Sequence, residues 1–88
     1  MNDTTNILEC LDNIKNNIKK YYIGSELAKQ RNISGLSKSQ VSECLNISVL
    51  QLEKYENGEI EIIPEHLYAL SKLFDVSVDT FFKPLDSL

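Results

Sequence analysis

The stretch from Ser37 to Ser48 constrains this chain more than any other. Ser37 is a good helix N-cap, and Gln40 stands where its capping-box partner belongs. Val41, Cys44 and Leu45 then fall on one helical face, which predicts that they are buried together. Asn46 follows, and asparagine tolerates left-handed backbone better than most residues. Ile47 comes next, and Ser48 caps a second helix running from Val49 to about Asn57. About three residues thus join two helices, and so short a joint makes the second turn sharply away from the first.

The rest of the chain reads as more short helices. Glycine occurs only at Gly24, Gly35 and Gly58, and proline only at Pro64 and Pro84. No useful strand alternation, internal repeat or low-complexity stretch appears. Ile23, Leu27 and Ala28 make a helical face that Arg31 extends. In the second helix of the short joint, Leu52 and Tyr55 face inward, and Gly58 ends it. Ile62 turns inward from the loop after it. Pro64 opens a further helix with the stripe Leu67, Leu70, Leu73 and Phe74. Ser77 caps a last short helix that carries Val78, Phe81 and Phe82, and Pro84 stops it ahead of a frayed tail, residues 84–88.

Before these lies a different kind of segment. Ile7, Leu11, Ile14, Ile18 and Tyr21 are spaced four, three, four and three apart, a heptad seam. Asn6 and Glu9 form a candidate cap and capping-box pair, and Lys19 and Lys20 suit the negative end of the helix dipole. The seam must be covered, either by the chain's own body or by a second copy. Gly24 either interrupts this helix or permits a close contact.

Charge and cysteine content narrow the function. With 9 Lys and Arg against 13 Asp and Glu, the net charge is -4, which argues against coating nucleic acid or an anionic membrane through bulk charge. Cys10 and Cys44 lie far apart with no CxxC partner, so they read as free thiols in a reducing cytoplasm rather than a disulfide framework or a zinc site. One histidine, His66, leaves little for nucleophile-plus-base catalysis, and neither enzyme activity nor a metal or cofactor is expected. No apolar run is long enough for a transmembrane helix.

The pieces IGSELAKQR, GLSKSQVSECLNIS, LEKYENG and LYALSKLFDVSVDTFF resemble the Cro and phage-repressor type of helix-turn-helix domain, the XRE family. They cover about two thirds of the chain in the expected order. The resemblance implies an all-α fold: a five-helix domain over residues 23–83, preceded by an extra N-terminal helix over residues 1–22. It implies a sequence-specific regulator, a repressor binding the DNA major groove as a homodimer on a palindromic operator, with no small-molecule ligand and no membrane. An alternative is a helix-turn-helix module turned to protein binding, as an anti-repressor or regulatory subunit.

The resemblance also places candidates residue by residue. Ser37 and Lys38 suit a phosphate, and Asn57 matches a backbone-contacting position. Ser48 opens the reading helix, and Val49, Leu50, Gln51, Glu53 and Lys54 stand at base-reading positions. Gln51 suits adenine, Lys54 guanine or a phosphate, Val49 and Leu50 thymine methyl groups, and Glu53 cytosine N4. Arg31 and Glu56 match a structural salt bridge. Dimerisation is expected through Ile7, Leu11, Ile14 and Ile18 or through Phe81 and Phe82. The chain departs from its relatives at Val49 and Leu50, where polar or basic residues are usual, and after Gly58, where EIEI replaces basic residues. From Glu43 to Glu65, six acids (Glu43, Glu53, Glu56, Glu59, Glu61, Glu65) stand against Lys54 alone.

Overall fold

The computed structural model describes residues 3–83, with side-chain surroundings from Ile7 onward. The expected tail over residues 84–88, and Pro84 as its stop, lie outside the described residues. Four α-helices follow in order: α1 (Asp3–Ser34), α2 (Lys38–Leu45), α3 (Val49–Glu56) and α4 (Pro64–Phe74). A 3-10 turn, Val78–Phe81, closes the fold. Among the described residues there is no strand, and no helix is long and apolar enough to cross a membrane.

This corrects the expectation of five helices preceded by a separate one. The N-terminal segment and the first helix of the domain are a single helix of 32 residues, and the last expected helix is only a 3-10 turn. The physical reason lies at Gly24. A glycine costs a helix interior only about 1 kcal/mol, and α1 contains no proline. Gly24 is buried where α1 meets α3, and a Cβ there would run into the backbone carbonyl oxygens of Tyr55 and Glu56. The glycine serves the helix crossing and does not end the helix. Asn6 consequently lies inside α1 rather than capping it.

The central joint has the anticipated chemistry. The Ser37 hydroxyl accepts from the Gln40 amide at 3.1 Å, and the Gln40 side chain accepts from the Ser37 amide at 2.8 Å. Asn46 takes the left-handed conformation at φ 57°, which lets the Ile47 amide reach back to the Ser42 carbonyl at 3.0 Å. Ser48 accepts from the Gln51 amide at 3.0 Å and starts α3. Asp75 ends α4 at φ 54° by the same device, without the glycine that usually signals it. Ser37→Ala should cost about 1 kcal/mol, seen as a drop of about 4–8 °C in thermal unfolding followed by circular dichroism.

Leu27 of α1, Val41 and Leu45 of α2, Leu52 and Tyr55 of α3, Leu70 and Phe74 of α4, and Phe81 form one core. Ile23, Ile62 and Leu67 close it. The interior differs from expectation in two places: Leu73 of α4 is only half-buried while Ser71 is buried, and in α2 Cys44 is exposed and Ser42 is buried instead. The tight return of Ile47 onto Ser42 brings α3 against that side of α2, where a small side chain fits. The Ser42 hydroxyl stays satisfied by donating to the Ser39 carbonyl at 3.0 Å.

Only the second half of α1 meets this body. Ile7, Leu11, Ile14 and Ile18 are all exposed, and the molecule measures 52 × 26 × 19 Å because the first half projects as an arm. Among the described residues, nothing covers the seam.

Candidate nucleic-acid interface

The α2–turn–α3 unit decides which side chains are presented outward. Leu52 and Tyr55 anchor α3 in the core. The remaining positions then turn away from it by the helix period. Val49, Leu50, Lys54 and Asn57 are exposed, and Gln51 and Glu53 are half-buried. Leu50, at 62% exposure, is the most prominent apolar residue of this face. Ser48, at the start of α3, is also exposed. Ser37 and Lys38 open α2, and Lys38 reaches across to α3. Its Nζ donates to Glu53 Oε2 at 3.1 Å, and both side chains remain about two-fifths exposed. Asn57 sits at the other end of α3, where its side chain donates to Glu59 Oε2 at 3.3 Å. The start of α2 and the outward face of α3 thus share one surface, with Asn57 at its edge.

This surface carries fewer free acids than its sequence suggests. Glu56 turns inward beneath Arg31. Arg31 Nε donates to Glu56 Oε2 at 2.6 Å and Nη2 donates to Oε1 at 3.2 Å, a two-pronged ion pair between α1 and α3. The third arm of the guanidinium, Nη1, donates to the Leu36 carbonyl at 3.2 Å, just before α2. The pair is largely buried, at 12% and 7% side-chain exposure. Glu53 is matched by Lys38. Lys54 is the cation of α3's own last turn.

Three features were not legible in the pattern. The buried Tyr55 hydroxyl lies 2.7 Å from His66 Nδ1 and accepts from Gln51 Nε2 at 3.3 Å. A base-reading candidate is thereby tied to α4 through a core tyrosine. Tyr55 needed a partner once buried, but nothing local pointed to His66 in the next helix. Gly58 takes φ 73° and rests on the backbone of α1, where a Cβ would press on Tyr21. Ile60 is half-buried and borders a shallow notch with Ser48, Leu50, Gln51 and Lys54. Of the two C-terminal dimerisation candidates, Phe81 is fully buried in the protomer's own core and Phe82 packs against it.

Among the described residues, no group of three His, Cys, Asp or Glu is placed to hold a metal ion.

The profile of the helix-turn-helix family HTH_3 matches residues 27–81. This span takes in the second half of α1, all of α2 to α4, and the 3-10 turn. The chain is similar to an uncharacterized HTH-type transcriptional regulator of Sinorhizobium medicae, at 31% identity over 62 residues, covering 70% of this chain and 45% of that protein. It is also similar to an uncharacterized HTH-type transcriptional regulator of Rickettsia conorii, at 31% identity over 65 residues, covering 74% and 52%. An uncharacterized transcriptional regulator in the ATPase CF(0) region of Rhodospirillum rubrum is 28% identical over 65 residues, covering 74% and 60%. The chain spans about half the length of the curated relatives it matches.

Proposed function

Because this chain belongs to the XRE-type helix-turn-helix family, we propose that it is a sequence-specific DNA-binding transcriptional regulator, a repressor acting in the cytoplasm as a homodimer on a palindromic operator. The observation that carries this reading is the outward face of α3. The core holds the helix by Leu52 and Tyr55 and leaves Val49, Leu50, Gln51, Glu53 and Lys54 turned away from it, beside the start of α2. In this reading α3 enters the major groove, and the Ser37 and Lys38 end of α2 meets a phosphate. Gln51 reads adenine, while Val49 and Leu50 meet thymine methyl groups.

The ion pair between Lys38 and Glu53 shapes the energetics. A lysine matched by a carboxylate at 3.1 Å neutralises less phosphate than a free one. Affinity therefore rests on few phosphate contacts and on pairing two reading heads. Glu53→Gln should tighten binding to unrelated duplex several-fold and steepen the salt dependence by about one unit. Lys54→Ala should do the reverse. Fluorescence anisotropy at several salt concentrations measures both.

The test of the reading itself is a mobility-shift assay against the DNA upstream of the chain's own coding sequence and against a random duplex pool, at two salt concentrations. Saturable, sequence-selective binding supports it. No binding even at low salt would sink it in favour of a second reading, in which this surface docks a protein. That second reading rests on Leu50, which stands exposed beside the notch bordered by Ile60.

A further inference from the structure

We propose that the exposed arm of α1 pairs with the arm of a second copy, antiparallel, with Ile7 of one copy against Ile18 of the other and Leu11 against Ile14. The operator-spacing part of the argument rests on the DNA-binding reading; the pairing itself does not.

The arm is built to meet another helix. Its apolar residues repeat at heptad spacing, and all are exposed in the protomer. An isolated helix of this length would be marginal, because forming its first turn is costly. Here the second half of α1 is already fixed in the core through Ile23 and Leu27, so the arm extends a helix that exists. The seam also points away from the body. At about 100° per residue, it lies nearly opposite Ile23 and Leu27, so a second helix reaches it unobstructed. Phe81 is fully buried in the protomer's own core and Phe82 is half-buried against it, so neither presents a row of exposed apolar residues like that of the arm.

Three observations select a second copy running the other way. The arm is dipolar: Glu9 and Asp12 precede Asn13, and Lys15, Lys19 and Lys20 follow it. Antiparallel pairing sets the acidic half of each arm alongside the basic half of the other, whereas parallel pairing sets lysines beside lysines. By the helix period only Lys15 stands beside the seam, and Glu9, Asp12, Lys19 and Lys20 lie on the outer side of the arm, so this preference acts only at a distance and weakens with salt. Secondly, the seam turns polar beyond Tyr21. Ser25, Lys29 and Asn32 continue that side of α1 and are exposed. A parallel pair would run its contact onto these residues, while an antiparallel pair stays within the apolar stretch.

The third observation is geometric. Gly24 marks where α3 crosses α1. In the proposed register the two Gly24 positions are separated by about 23 residues of helical rise, about 35 Å. Half-sites one turn apart on B-DNA are separated by about 34–36 Å. Gly24 and Arg31, the residues that meet α3, lie about 100° round α1 from the seam. The two-fold axis of an antiparallel pair stands perpendicular to the plane of the two arms. It therefore keeps both α3 helices on the same side, as one face of a duplex requires.

The experiment uses the full chain without DNA. Sedimentation equilibrium should give a concentration-dependent dimer for the wild type. Ile14→Glu should weaken it by about tenfold or more; the variant should still unfold cooperatively, because Ile14 lies outside the core, with a melting temperature that no longer rises with protein concentration as the dimer's does. In a Cys10→Ser, Cys44→Ser background, a short bis-maleimide should join Ile7→Cys protein to Ile18→Cys protein in a mixture, and neither to itself. A wild type that stays monomeric, or a dimer that survives Ile14→Glu, overturns the seam. Cross-linking of each variant to itself alone overturns the antiparallel register. Loss of DNA binding with this pairing intact would instead count against the DNA-binding reading.

Discussion

Arg31→Ala should lower the melting temperature by about 15 °C or more. The guanidinium makes two bonds to Glu56 and one to the Leu36 carbonyl, all in a largely buried setting. Removing it leaves the Glu56 carboxylate at 7% exposure with no cation. Breaking a buried pair from one side costs about 3–5 kcal/mol, because the remaining charge is stranded. That is a large part of what a domain of this size has to lose. Glu56→Ala should cost comparably. The double variant should cost less than the sum, because neither charge is then left alone. Arg31→Lys should restore only part of the loss, since an ammonium cannot span both carboxylate oxygens and Leu36 together. Thermal and urea unfolding of the four variants measures these effects; strict additivity of the two alanine substitutions would show the pair to be uncoupled.

Gly24→Ala should be nearly as damaging, although alanine is the better helix former by about 1 kcal/mol. A methyl group at this site meets the carbonyl oxygens of Tyr55 and Glu56, which are backbone and cannot rotate aside. Either α3 moves off α1 or α1 bends. Overpacking of this kind costs about 1–3 kcal/mol and sometimes more. It also pulls apart the helices that the Arg31 pair joins, so the cost should reach the upper end. The variant should unfold about 10 °C or more below the wild type. The contrasting control is Gly35→Ala: no atom stands near that position, but it takes φ 72°, so only the backbone penalty applies. Equal losses at the two sites would show that the α1–α3 contact contributes nothing special.

These two positions also show what the sequence could and could not convey. The ends of the short helices were legible because capping is local chemistry. Ser37 with Gln40, Asn46 and Ser48 each act within a few residues of themselves. The pair of Arg31 and Glu56 was legible only through the family resemblance, since nothing near either residue names the other. Gly24 was ambiguous because its role is set by a backbone that lies about 30 residues further along the chain. The same holds for Tyr55 and His66, which meet only after α4 has packed. Cys44 was misplaced for a related reason. A helical stripe defines a face to within one neighbouring row, and the tight return of Ile47 onto Ser42 decided which row was buried. The base-reading candidates were found by their place in the motif, but the match between Lys38 and Glu53 depends on how α2 crosses α3.

The unbroken run of α1 has a consequence for distance. Between the seam and the point where α3 rests on Gly24 there is no hinge, so residue count becomes length and angle at about 1.5 Å and 100° per step. A single inserted residue would swing the head by more than a quarter-turn, whereas seven would move it outward by about 10 Å with only a small rotation. The helix is a graduated ruler, with the arm as its zero and the glycine as its mark.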